Sequence, residues 1–411
     1  LTEVHTDELE TSRHGPTGLP LITTEMEILG DGTTIRRAPD APEFRIFYVS
    51  SDEGFEMSGV VIRGGKLTDG EQGAGMLASG LVTLIDVDFE DNEVLHGDGG
   101  ALQVWPGTTN LENVNFSGNV VGPDDASHTG AAIYVANARL IYETGRLTNN
   151  RGSFDGGSAV VHVDEASNVS LRSVVFEENE AAAIWNQGRL GLQSSTVASS
   201  ANQREGGVVN EGEAEVEESI IRDNSALMTG GVYNTGTFSA MFVTVENNSV
   251  TGAEAGTAGG VANVGGTAGF NETTIRGNSA AAVGSGGGIF NSGTFNLANS
   301  GVIGNEAPEG AGIYLSAADG PASLEMEMTG GFSIRENRAA DNGGGIYVDG
   351  PALLVMEDPE VWIHLNVADA DGDGTGVGGG IYHTGLAEGS LIREEDVFDN
   401  VPDDIFGPPL P

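Results

Sequence analysis

Residues 369–374 read Asp-Ala-Asp-Gly-Asp-Gly. Carboxylates at alternate positions can wrap one side of a hard cation, and glycines between them permit the tight turn. Asp369, Asp371 and Asp373, with Gly374, match the D-x-D-x-D-G opening of an EF-hand-like calcium loop. The bidentate glutamate expected at the twelfth position is absent, because Gly380 stands there. Two readings stay open: a calcium site built on three aspartates, or a solvated acidic loop. Calcium is the one cofactor the sequence raises.

Other chemistry is sparse. The histidines His5, His14, His96, His128, His162, His364 and His383 show no metal-ligand spacing. Neither a nucleophile elbow nor a phosphate loop occurs. His364 is expected at an outward strand position and His383 at a surface turn. No catalytic residue is assigned. The N-x-S/T sequons at Asn115, Asn168, Asn247 and Asn271 are left without a role.

Composition narrows the partners. The 411 residues carry 61 acids against 17 bases, a net charge of −44, and Lys66 is the only lysine. Such a chain repels nucleic acid and anionic membrane surfaces. No run of 18 apolar residues is present to span a bilayer. Cysteine is absent, so disulfides and thiolate chemistry are excluded. Glycine is abundant, at 64 residues, while proline is not, at 14. Regularly spaced Ile, Val and Phe separate this composition from that of a disordered acidic chain.

The elements that would position a 369–374 loop come from a repeat. An apolar residue is followed three positions later by asparagine at 89–92, 116–119, 147–150, 176–179, 221–224, 245–248, 275–278, 302–305, 334–337, 363–366 and 397–400. A small-residue pair followed by apolar residues alternates with it, as GGALQV (99–104), GAAIYV (130–135), GGVYN (230–234), GGGIFN (286–291) and GGGIYH (378–383). Positions −3 and −5 from each asparagine are mostly apolar and −2 and −4 polar, a period of two that means strands. Short strands in a repeat of 24 to the low thirties, without helices between them, predict a parallel β-helix of 11–12 coils. The −3 column is its core. Asn92, Asn119, Asn179, Asn224, Asn248, Asn278, Asn305, Asn337 and Asn366 are expected to stack as turn and ladder residues. The N-x-G segments at 186–188, 210–212, 234–236, 263–265 and 291–293 read as a second turn. Arg222, Glu246 and Arg276 are expected to stack as alternating surface charges. The repeat is placed at 31–398, with residues 1–30 as an N-terminal cap or first coil and 399–411 as a C-terminal cap or tail.

The pairing of F-x-x-N at 89–92, 116–119 and 176–179 with G-G-A-L at 99–102 resembles the polymorphic outer membrane protein repeats of exported bacterial β-helix proteins. That resemblance implies a right-handed helix, as the crossover rule also does. It further implies a secreted or cell-surface location in a bacterium. The chain opens without a signal peptide, as a processed chain would. Unlike the autotransporter members, these residues include no C-terminal membrane barrel.

The expected function is therefore a non-catalytic surface protein, structural, adhesive or interacting, with calcium as a stabiliser. Partners, a surface glycan or a protein, are expected at the loops between each ladder asparagine and the next glycine motif, which vary in length: 120–130, 249–260 and 367–380 are long. The alternative is a glycan-active enzyme, a polysaccharide lyase or glycoside hydrolase, on the same scaffold. It requires a groove holding two or three carboxylates with an arginine.

Overall fold

The computed structural model describes residues 1–411 except 6–14, 69, 123–128, 153–157, 202–203, 253–256, 281–284, 319, 328–332, 357 and 411. Most of the long turn 120–130, part of 249–260, His14 and His128 thus lie outside the described residues. Among those described, the only helical segment is the 3-10 turn Glu394–Asp396. The rest is an all-β parallel solenoid of about 13 turns. That exceeds the number of coils expected from the asparagine motif. The extra turns come from Met26–Arg36 and Phe47–Arg63, which pair in parallel without carrying that motif. The chain divides into two compact units, Leu1–Gln203 and Arg204–Pro411.

In the second unit the regular turns follow one plan, from Val208–Asn210 to Arg338–Ala339. Val232–Asn234 leads from the glycine motif, Thr237–Met241 crosses the next face, and Thr244–Glu246 runs to the ladder asparagine. Ser249–Val250 follows it. Successive turns stay in register, with Val232 opposite Val261, Val261 opposite Ile289, and Ile289 opposite Ile313. The −3 column is the core: Ile221, Val245, Ile275, Val302, Ile334 and Ile363 are fully buried. The first unit places Phe89, Phe116, Leu147 and Phe176 likewise, with Phe89 and Phe116 stacked at 4.9 Å.

The asparagines form a continuous hydrogen-bonded column inside each unit. Asn278 shows the pattern. Its Oδ1 accepts from the Asn248 backbone N–H (2.9 Å) and from Asn248 Nδ2 (3.0 Å). Its Nδ2 donates to Asn305 Oδ1 (3.1 Å) and to the Val245 carbonyl (3.0 Å). Two donors and two acceptor sites are all used, which is the full capacity of an amide. The second-unit ladder runs Asn224, Asn248, Asn278, Asn305, Asn337, Asn366 and Asn400. It ends on Asp404, whose Oδ1 accepts from both Asn400 N and Nδ2 at 3.0 Å. The first-unit ladder joins Asn92, Asn119, Asn150 and Asn179, and Gly65 N–H donates to its first oxygen. Asn150 and Asn400 thus belong with the nine expected members.

The left-handed residue at this corner is the one before the asparagine. Glu178, Asp223, Glu336 and Leu365 have φ of +57°, +56°, +59° and +57°. Such a conformation is uncommon for side chains of this size, so the ladder and the core on either side hold the corner. The N-x-G asparagines do more than turn the chain. Asn210, Asn234, Asn263 and Asn291 form a second buried ladder, Nδ2 to Oδ1 at 2.7, 2.7 and 2.8 Å.

The glycine motif is shaped by this ladder. A Cβ on Gly345 would lie 2.5 Å from the Gly380 carbonyl and 3.0 Å from Asn366 Nδ2. Alanine fills the equivalent place in the first unit at Ala101, Ala132 and Ala183, all buried. The leading glycine has another task. Gly343 has φ +68°, and a Cβ there would fall 2.7 Å from Tyr347 Cβ. The turn folds down over the tyrosine, so an outward residue becomes buried. Phe290, Tyr314, Tyr347 and Tyr382 stack in this way at 5.8, 4.7 and 4.8 Å, and the exposed Phe406 continues the column 5.9 Å from Tyr382. In the first unit Tyr134, His162 and Trp185 form a shorter column.

The surface charge ladder forms only in part. Arg276 meets Glu246 at 2.5 Å, but Arg222 turns to its neighbour Asp223 at 2.6 Å. Exposed pairs of this kind contribute under about 1 kcal/mol, so local geometry decides the partner.

Replacing Asn278 by Leu strands buried polar groups on both neighbouring turns. Urea denaturation should show a loss of at least about 3 kcal/mol, whereas exposed Asn296→Ala should stay within about 0.5 kcal/mol. Equal effects would contradict the ladder's role.

Candidate cation-binding turn

The structure brings the three expected ligands together. One carboxylate oxygen each from Asp369, Asp371 and Asp373 lies within 4.8 Å of the others. Asp369 is half-buried, and Asp371 and Asp373 are exposed.

The turn begins where the solenoid stops. Asp369 N–H bonds the Asp341 carbonyl at 3.0 Å and Ala370 N–H the Ala339 carbonyl at 2.9 Å, anchoring the entry on the preceding turn. Asp369 then takes φ +57°. Gly372 and Gly374 follow at +76° and +86°, with open space around both, so their conformation is what selects glycine. The loop closes on itself as Gly374 N–H donates to Asp369 Oδ1 at 2.8 Å. Asp371 Oδ1 accepts from Asp373 N–H at 3.3 Å. Asp373 Oδ1 accepts from Thr375 N–H and Oγ1 at 2.9 and 2.6 Å. Each carboxylate therefore commits one oxygen to the turn and keeps a second for another partner. The Thr375 hydroxyl and then its backbone N–H hold the Asp373 carboxyl below the usual range. All-oxygen donors of this kind suit a hard cation such as calcium and not a soft metal. Gly380, at the twelfth position, packs against the Asp404 carbonyl and Asn400 Nδ2, so the solenoid itself occupies the place of a distal carboxylate.

A shallow cleft of about 320 Å³ lies beside this turn, lined by Glu306, Pro308, Arg338, Ala340, Ala370 and Asp371. Glu306 and Arg338 are in register on adjacent strands. This supplies two carboxylates and a guanidinium, all exposed. Nearby, burial and then Asp341 and Asp349 push the Glu309 carboxyl up, while Asn342 opposes them.

The histidines lie apart. His364 is half-buried and stacks on Phe398 at 5.2 Å. His383, expected at the surface, is 2% exposed. Its strand ends one residue later than the glycine motif suggests, so the side chain points inward. Among the described residues these histidines build no metal cluster.

Residues 208–364 match a family model described as the right handed beta helix region. The match lies in the second unit, and the solenoid is a right-handed parallel β-helix. No curated protein and no solved structure matches the chain.

Thr375→Val removes the larger of the two bonds that favour the Asp373 anion. A carboxyl NMR titration should find Asp373 below the ordinary range in the wild type and shifted upward in the variant. Identical titrations would contradict the arrangement.

Proposed function

We propose that this chain is an exported, non-catalytic β-helix protein of the bacterial cell surface. It serves as a structural, adhesive or interaction scaffold, binding a glycan or protein partner through its variable turns, and calcium orders the turn 369–375. The observation that carries the reading is where length varies most: the corner before the three-residue strand lengthens only ahead of Ser333–Arg335 and Trp362–His364, whereas the corner after the ladder asparagine varies from turn to turn. In the second unit, the corner from Thr237–Met241 to Thr244–Glu246 repeats unchanged at Thr267–Asn271 to Thr274–Arg276 and at Thr294–Ala298 to Gly301–Ile303. The corner after the ladder asparagine instead runs 8 positions from Asn224 to Val232, 13 from Asn248 to Val261 and 15 from Asn366 to Ile381. Variation concentrated at one corner of a stacked scaffold marks a face free to diversify, which is how repeat proteins carry binding surfaces. The likeness to polymorphic outer membrane protein repeats supports export and a surface location. The three converging aspartates support calcium, since like charges held this close are relieved by a divalent cation.

The cleft of Glu306, Arg338 and Asp371 favours a second reading, a glycan-active enzyme. Both carboxylates there are exposed. Neither sits in the dry, enclosed surroundings that glycoside chemistry uses, which ranks this reading below the first.

A glycan array with and without millimolar calcium separates the readings when each hit is followed by a depolymerisation assay. Binding without cleavage, weakened by chelator and by Asp371→Asn, is the expected result. Chain cleavage of a bound glycan, abolished by Arg338→Ala, would replace the scaffold reading with the enzymatic one. Binding indifferent to calcium and to Asp371→Asn would remove calcium from the account.

A further inference from the structure

We propose that His383 is an acid-sensitive latch that holds the strand Ile405–Phe406 on the last turn of the second unit when neutral and releases it when protonated. His383 ends the strand Ile381–His383, in register with Val348 beneath it. Above it, Ile381 pairs with Ile405 and Tyr382 with Phe406, which carries Gly407 over the imidazole. A Cβ on Gly407 would fall 2.6 Å from His383 Cδ2 and 2.7 Å from Nε2. The ring is thus sealed between a valine and a glycine, and both its nitrogens are buried without a hydrogen-bond partner.

The place in the fold makes this unusual. The same inward column carries Asn210, Asn234, Asn263 and Asn291, whose amides bond one another, and then Leu315 and Val348, which have no polar atoms to satisfy. His383 is the next member of that column, and its two polar atoms stay unmatched. Buried polar groups in this state are uncommon and costly.

No charge compensates it. On its own strand and on the strand below, Tyr382 and Asp349 alternate to the outer face. On the segment above, Asp403 Oδ1 is bound by Gly378 N–H at 2.7 Å and Asp404 Oδ1 by Asn400. Burial is the one influence resolved on the imidazole, and it lowers the pKa from the ordinary 6.5. With the strand released, His383 meets water and titrates near its ordinary value. The released state then binds the proton more readily, so closure is favoured fully above pH 6.5 and weakens as pH falls through and below that value. Release leaves the edge of Ile381–His383 unpaired, a template for another strand.

Backbone hydrogen exchange on the 411-residue chain tests this, with protection factors corrected for intrinsic rates at pH 7.5 and pH 5.0. Residues 405–407 and the Ile381 amide, which bonds the Asp404 carbonyl at 2.8 Å, should lose about tenfold or more in protection at pH 5.0. Amides of the Asn278 ladder should not change. In His383→Leu the loss should vanish, because a similar volume is filled without a titrating group. Unchanged protection in the wild type, or an equal loss in His383→Leu, would overturn the latch. A direct NMR titration of the His383 ring is independent of how the variant folds: a value clearly below 6.5 supports the latch, and one at or above 6.5 overturns it.

Discussion

The buried asparagine amide is the constraint on which the rest depends. A side-chain amide deep in an apolar stack costs several kcal/mol unless its hydrogen bonds are met. Here each interior amide meets all of them by using the next turn as partner. This fixes the register of stacking, since a slip of one residue would break every bond in the column. It fixes the corner before the asparagine, where Glu178, Glu336 and Leu365 accept a left-handed backbone. It also fixes the glycine motif, because the residue before the core Ile or Val lies against the amide and the next carbonyl. The two sequence motifs are two sides of one contact.

From that contact follows where the chain is free to vary. The corner between the five-residue and three-residue strands, tied by core residues and short connections, repeats without insertion from Glu213–Glu217 to Gly301–Ile303. The corner after the ladder has its ends secured by the asparagine and the glycine motif, so anything between them leaves the stack intact. The aspartate turn 369–375 is the longest such insertion. Its shape comes from its own hydrogen bonds and from two anchoring bonds to the turn below, with no demand on the core.

Much of the fold is legible in the sequence because the ladder writes itself there. Apolar residues three before each asparagine and the alternation around them identify strands, core column and stacking together. The aspartates 369, 371 and 373 are legible as a group because their spacing is local. Other features depend on what the turns do in three dimensions. Tyr314, Tyr347 and Tyr382 follow a core residue and so read as outward. They are covered because a positive-φ glycine four residues earlier lays the turn over them. Glycine four before an aromatic is the signal that could have found them. The N-x-G asparagines read as turn formers, yet Asn210 to Asn291 point inward and bond one another. His383 reads as a surface turn residue by its position after GGGIY, but the strand continues through it and Gly407 closes over it. The cleft of Glu306, Arg338 and Asp371 joins residues from three turns, a juxtaposition that only the stacking register reveals.

The most direct test of the ladder is the exchange of its own side-chain protons. In a 15N-labelled sample, the Nδ2 protons of Asn248, Asn278, Asn305 and Asn337 should exchange as slowly as the most protected backbone amides of the core, through opening of the whole unit. Exposed Asn296 gives the comparison within the same unit. Ladder protons that exchange as fast as those of Asn296 would contradict a buried, fully bonded amide column.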